Sequence, residues 1–287
     1  MTLSRRDFIA QASLATAGAL LLPNFTRAAT AKPISIQLWT VKDFMEKDAI
    51  GTIQKLGKMG YTAVEAFGGD YFKMGPKVFR KLVEDNGMKL LSAHVGLSKE
   101  KASDPTPADF QKSIDDAHIA GVRYIVVPWL AGGCLDSLDA VKQTAQYFNE
   151  YGTACNKAGI KFLFHNHASE FNIIGDKSFY EHLLTLTDPK LVNFEMDLYW
   201  VVYAGLNPVD IFKKHPNRFP LWHVKDMQKT KKETTEIGNG RIDFKTIFAN
   251  AALAGLDFPI VEQEDFTGTS IESAKICLTN LKKLTSK

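Results

Sequence analysis

Six short apolar runs in this chain end in residues that can ligate a metal ion or move a proton. Glu65 closes the first and His94 the second. His165 and His167 follow the third, Glu195 and Asp197 the fourth, His223 and Lys225 the fifth, and Glu262 and Glu264 the sixth. Residues two apart on an extended strand share a face, so His165 with His167, Glu195 with Asp197, and Glu262 with Glu264 are same-face pairs. The last four runs can therefore offer His, Asp, His and Glu around one point; spacing alone does not choose between His165 and His167. Mixed imidazole and carboxylate ligation suits divalent Mn, Zn, Co or Fe, with Mg admissible, better than Ca, whose sites take oxygen ligands alone. A single histidine at such a place is more often satisfied by backbone partners, and a single carboxylate often caps the next helix. Four runs in succession shift that balance, because buried charges are costly unless paired or metal-bound. One divalent ion is expected. Glu262, His94, Lys225, Glu65 and Glu170 are the candidate acids and bases, since proton transfer needs a tunable group within reach.

The elements that must position these residues can be read from glycines. Gly60, Gly87, Gly121, Gly159 and Gly255 each close a helical pattern just before a β-type run, where a left-handed terminal residue is needed. Pro76, after Gly75, and the pair Asp136-Ser137 mark helix starts. Eight strands follow: residues 34–39, 63–67, 89–95, 124–128, 161–165, 191–197, 219–224 and 258–262. Short apolar strands alternating with helices indicate a parallel sheet covered by helices. An open doubly wound sheet is the alternative, but no G-x-G-x-x-G follows any strand. The expected fold is a single-domain (β/α)8 TIM barrel over residues 32–287, with the polar residues at the C-terminal strand ends where such barrels carry their sites.

Residues 1–31 are set apart. Arg5-Arg6, an apolar run from Ala10 to Leu22 and Ala29-Thr30-Ala31 follow the order of a twin-arginine signal peptide. The run is too short to span a bilayer, so periplasmic export is expected, with no membrane contact after cleavage. Removing Arg5, Arg6, Arg27 and Asp7 lowers the formal charge from +3 to +1, which leaves no electrostatic footprint for nucleic acid. Cys134, Cys155 and Cys277 lack C-x-x-C spacing and read as buried apolar residues rather than a disulfide framework. His165-Asn166-His167 is no nuclease motif, whose histidines lie far apart. Glu195 and Asp197, on one strand, cannot flank a glycosidic bond from opposite sides. The oligomeric state is left open.

The chain resembles the xylose isomerase-like barrel superfamily, and within it the sugar phosphate isomerase/epimerase group. The resemblance is carried by residues 36–43 (IQLWTVKD), 164–167 (FHNH) with Glu170-Phe171, 196–200 (MDLYW), 222–226 (WHVKD), 236–240 (EIGNG) with Asp243-Phe244, and 261–263 (VEQ). It implies metal ligation by His165, Asp197, His223 and Glu262. It also implies an enediolate formed by proton removal beside a carbonyl, which the metal would stabilise by several kcal/mol. The ketose 3-epimerases of the superfamily exchange the proton between two metal-bound glutamates, one on strand five, and carry a histidine three residues after the strand-six Asp. Here those positions hold His165 and Trp200, so symmetric exchange is not expected. Trp39, Trp129, Tyr199 and Trp200 could stack on a sugar ring, and His167 could touch substrate. The main expectation is a sugar isomerase or epimerase acting on a small, non-phosphorylated sugar or glycoside. The alternative is a lyase using the same step, for 3-oxo-glycoside β-elimination or inosose dehydration. An apurinic endonuclease would need more metal ligands and a basic face, and a non-catalytic sugar-binding protein would not need the ligand set.

Overall fold

All five helix-closing glycines have positive φ, among them Gly60 at 100° and Gly255 at 78°. These two cap their helices in the left-handed conformation that only glycine adopts without a Cβ penalty. The structure is a computed structural model and describes residues 33–96, 107–130 and 133–285; the expected signal, residues 1–31, lies outside the described residues. The barrel strands are β1 (Ser35–Gln37), β2 (Ala63–Ala66), β3 (Lys89–His94), β4 (Tyr124–Val127), β5 (Lys161–His165), β6 (Val192–Asp197), β7 (Leu221–Val224) and β8 (Phe258–Val261). All pair in parallel, and β8 returns to β1 through Ser35–Ile260 and Ile36–Val261, closing the ring. This is the expected (β/α)8 barrel, with strand ends within two residues of the sequence reading.

The covering helices are α1 (Lys42–Met59), α2 (Pro76–Asp85), α3 (Pro107–Ala120), α4 (Leu138–Lys157), α5 (Phe179–Leu186), α6 (Leu198–Tyr203), α7 (Pro208–Lys214), α8 (Phe244–Ala249), α9 (Ala251–Ala254) and α10 (Ser270–Thr285). The two sequence start signals are used: Gly75 precedes Pro76 at the first turn of α2, and the Ser137 hydroxyl accepts from Ala140 N to cap α4. Two antiparallel hairpins were not expected: Ile173–Ile174 with Lys177–Ser178, and Asp226–Met227 with Thr234–Thr235. The three cysteines are free and buried. Among the described residues, no helix is long and apolar enough to cross a membrane.

Alternation along the strands makes both a floor and a site. Ala63, Leu91, Tyr124, Val126, Leu163, Leu221 and Ile260 pack against one another with Phe258. On β5, β7 and β8 the next residue on the same face is His165, His223 and Glu262. The apolar layer thus seals the barrel beneath a polar layer at the C-terminal mouth, as the period of two requires. On the outer face of the strands a larger core, including Phe162, Phe164 and Trp222 of the sheet with Phe79 and Phe148 of the helices, joins the two layers. A register shift between Val64 and Glu65 sets Glu65 opposite Ser92, turning a seryl hydroxyl toward the carboxylate.

After β2 the chain takes an unusual path. Tyr71, Phe72 and Lys73 have φ of 50°, 56° and 60°, a left-handed turn costing about 1–2 kcal/mol per residue. Asp70 accepts from Phe72 N, and the rings of Tyr71 and Phe72 both pack on the buried Phe79 of α2. Those contacts hold the strained turn in place.

Candidate metal and active site

The polar layer gathers Glu65 from β2, His94 from β3, His165 from β5, Glu195 and Asp197 from β6, His223 from β7, Lys225 just beyond it, and Glu262 just beyond β8. None is more than 7% exposed. His94 Nε2 lies 2.8 Å from Glu195 Oε2 and 3.1 Å from Glu65 Oε1. His223 Nε2 is 2.7 Å from Glu65 Oε1 and 3.2 Å from Glu195 Oε2, while its Nδ1 is 3.1 Å from Glu262 Oε2. His165 Nδ1 is 3.1 Å from Glu195 Oε2. Lys225 Nζ reaches Asp197 Oδ2 at 3.0 Å, Glu262 Oε2 at 2.7 Å and Glu264 Oε1 at 2.6 Å.

Burial alone would neutralise such groups, and which neighbours overcome it decides the direction in which each is pushed. Burial pushes Glu65 up, but His94 and His223 outweigh it and hold the carboxyl well below its ordinary range. Burial pushes His94 down, yet Glu65 and Glu195 raise it to about 9. Glu195 rises to about 7 because burial and repulsion from Glu65 exceed the help of His223 and His94. His165 is pushed well below its usual value by burial and by the neighbouring imidazoles. Lys225 and His223 stay charged because their carboxylates overcome burial.

Four carboxylates, Glu65, Glu195, Asp197 and Glu262, are buried together with the imidazoles of His94, His165 and His223 and the ammonium of Lys225, a concentration of donor groups that a divalent ion would help to pair. The donor atoms fall into two sets that share His223: His94, His165, Glu195 and His223, and Asp197, His223 and Glu262. Glu195 Oε1 is buried with no hydrogen-bond partner, as expected of an oxygen reserved for a cation. This buried cluster of imidazoles and carboxylates can hold a metal, and the residue types fit one. The four ligands implied by the resemblance are all present in the layer but are grouped differently. The Lys225 ammonium draws the Asp197 and Glu262 oxygens to itself, while Glu195 engages His165.

The remaining sequence candidates take separate places. His165 enters the cluster, whereas His167 sits against Trp200 with ring centroids 5.7 Å apart. Lys225 Nζ lies 5.5 Å from the Tyr199 and Trp200 rings. Glu170 is buried but turned to its own loop, accepting from His167 N at 2.7 Å and from the Ser169 hydroxyl at 2.9 Å. It shapes the turn after β5 and is not among the clustered donors. Trp39 and Trp129 lie exposed on the rim.

Sequence reasoning gave no role to Gln37, Ser92 or Asp226, and named Glu195 and Glu264 only as the same-face partners of Asp197 and Glu262. Gln37 Nε2 and the Ser92 hydroxyl donate to the two oxygens of Glu65 at 2.9 and 2.6 Å. Ser35 and Gln37, polar residues two apart within an apolar strand, were the available signal for an inward-facing polar contact. The Asp226 carboxylate accepts from the backbone N–H groups of Met227, Gly238, Gly240 and Ile242. It ties the segment after β7 together, and the Lys232 carbonyl in that segment accepts from the Tyr199 hydroxyl. Gly240 has no room for a Cβ, which would overlap the Met227 carbonyl oxygen and the Asp226 carboxylate.

Residues 53–281 match the description of the xylose isomerase-like TIM barrel family. The chain belongs to that family. It is similar to an inosose dehydratase of Clostridium perfringens, 25% identical over 245 residues that cover 73% of this chain and 81% of that protein. An inosose dehydratase of Lacticaseibacillus casei is also 25% identical, over 262 residues covering 79% and 87%. Among solved structures, a sugar phosphate isomerase/epimerase of Parabacteroides distasonis superposes with a TM-score of 0.78 at 28% identity, covering 91% of this chain and 98% of that one.

Proposed function

We propose that this protein is a metal-dependent lyase of the dehydratase type, acting on a polyhydroxylated ring that bears a carbonyl, with inososes the first substrates to try. The observation that carries the reading is the asymmetry of the proton-transfer groups. Carboxylates, imidazoles and a buried ammonium occupy different strands, and strand five supplies His165 rather than the second glutamate that symmetric epimerisation uses. Elimination needs unlike groups: a base takes the proton beside the carbonyl, and an acid protonates the departing hydroxyl as its C–O bond breaks, giving an enol and water. The relatives named inosose dehydratase support this chemistry over the isomerisation expected from the sequence alone.

His223, with His94, His165 and Glu195 or with Asp197 and Glu262, would hold one divalent ion; Mn, Zn, Co and Fe suit the donors. When bound, such an ion would stabilise the negative charge that develops on the substrate oxygen. Glu262 is the base that the geometry favours, because His223 and Lys225 engage only its Oε2, whereas both oxygens of Glu65 are engaged, by Gln37, Ser92 and His223. Lys225, between Asp197 and Glu262, is placed to return a proton to the leaving group. Trp200 and His167 would border the bound ring. The same reading places the mature protein in the periplasm on the strength of Arg5 and Arg6; cell fractionation of an Arg5→Lys/Arg6→Lys variant would show cytoplasmic retention, and unchanged export would remove that part.

Proton NMR of the metal-loaded protein in heavy water, with a panel of inososes, free ketoses and 3-oxo-glycosides, tests the chemistry. Exchange of the proton beside the carbonyl with loss of water or aglycone is the expected result. Exchange that yields only a new sugar isomer would establish the second reading, isomerase or epimerase, which the Parabacteroides distasonis relative favours. No exchange across the panel would overturn both.

A further inference from the structure

One arc of the barrel mouth is aromatic, and the polar cluster leaves it unused. Trp39, directly after the β1 segment, is 43% exposed, with the Lys42 ammonium 3.8 Å over its ring. Phe67 packs nearly perpendicular to it at 5.2 Å, and Phe72 continues the row 5.1 Å from Phe67. Trp129, beyond β4, is 49% exposed, and its ring lies over Gly96, beyond β3, where a Cβ would meet it at 3.7 Å. These aromatics follow β1, β2 and β4, on the side of the mouth where the cluster contributes Glu65 and His94, whereas Asp197, His223, Lys225 and Glu262 belong to the ends of β6 to β8.

We propose that the Trp39–Phe67–Phe72 wall is a subsite for a second six-membered ring, the aglycone or second sugar of a glycoside, carried on the ring at which the polar cluster acts. The wall is coupled to the cluster through one side chain: Gln37 accepts from Trp39 N at 3.1 Å and donates to Glu65 at 2.9 Å. It is also held at a cost in strain. The left-handed turn at Tyr71–Lys73 carries Phe72, and strained backbone persists where surrounding contacts over-determine it, commonly at ligand clamps. Isolated exposed apolar residues are ordinary, but here the exposed Trp39 continues into the half-buried Phe67 and Phe72, and a contiguous apolar row at a site mouth marks a place where something binds. Both aryl rings and the C–H faces of sugars stack on such surfaces, and Lys42 over Trp39 fixes the indole plane in advance.

This subsite rests on the reading that the cluster acts on a polyhydroxylated ring, yet its test needs no turnover. Isothermal titration calorimetry of the metal-loaded full chain would compare phenyl β-glucoside and cellobiose with methyl β-glucoside. Binding of at least one two-ring ligand about tenfold more tightly than the methyl glycoside is expected; phenyl alone would name an aryl group, and both would name any ring. Trp39→Ala, on a half-exposed side chain whose loss empties no core, should bring the preference to within about twofold. Phe72→Ala should do the same and Phe72→Leu should retain part of it. Equal affinities in the unmodified protein, or a preference that survives both alanine variants, would overturn the subsite. Failure of the lyase reading would instead appear as absent elimination in heavy water with the two-ring preference intact.

Discussion

His223 is the residue on which both donor sets depend, so its loss should be felt whichever set the metal uses. His223→Ala is expected to lower metal affinity by well over the 10–100-fold typical of outer-shell changes, read as metal content by mass spectrometry after dialysis; full occupancy would disprove the site. Comparing Glu195→Gln with Asp197→Asn then separates the sets, because each variant touches one of them. Lys225 allows a different test. Lys225→Met leaves Asp197, Glu262 and Glu264 facing one another without their shared cation, and breaking a buried ion pair from one side costs about 3–5 kcal/mol. Urea denaturation should show that loss for the metal-free protein, and an unchanged midpoint would mean that the carboxylates separate freely. The sequence could place these residues at strand ends but could not rank them. His165 and His167 share a face only while the chain stays extended; β5 stops at His165, and in the turn that follows the His167 ring lies between those of His165 and Trp200, outside both donor sets.

At the scale of elements, the segment from Asp226 to Ile242 is held by one carboxylate with four backbone N–H groups, and Gly240 makes the approach possible. Gly240→Ala must displace either the Met227 carbonyl or the Asp226 side chain. Leaving buried polar groups unpaired costs about 1–3 kcal/mol each, so a melting temperature several degrees lower is expected, with faster hydrogen exchange confined to residues 227–242. Unchanged exchange there would show that the clamp is dispensable. This clamp was not legible in the sequence, although Asp226, Gly238 and Gly240 stand in the 222–226 and 236–240 motifs, because it depends on how far the chain doubles back after β7. By contrast, the helix ends were legible: Gly60 and Gly255 stand where only a left-handed residue closes the helix, and Pro76 stands where a missing N–H costs nothing.

The molecule as a whole should be stabilised by the ion its site collects. At a free metal concentration about 100 times the dissociation constant, linkage gives about 2.7 kcal/mol, or roughly 5–10 °C for a domain of this size. Scanning calorimetry with and without a chelator checks this, and a melting temperature indifferent to both would argue against a resident metal. The barrel itself could be read from eight apolar runs spaced by helical patterns. The grip of Lys225 on three carboxylates could not, because it joins residues whose neighbourhood exists only once β6, β7 and β8 lie side by side. The seam between β1 and β8 extends that point. The last barrel strand both pairs with the first and leads into Glu262, so a chain halted before Phe258 has neither a sealed ring nor the donor set of Asp197, His223 and Glu262. Closure of the ring and completion of the second donor set are thus one event: a truncated copy keeps His94, His165, Glu195 and His223 in its sequence but lacks the strand that locks the barrel around them.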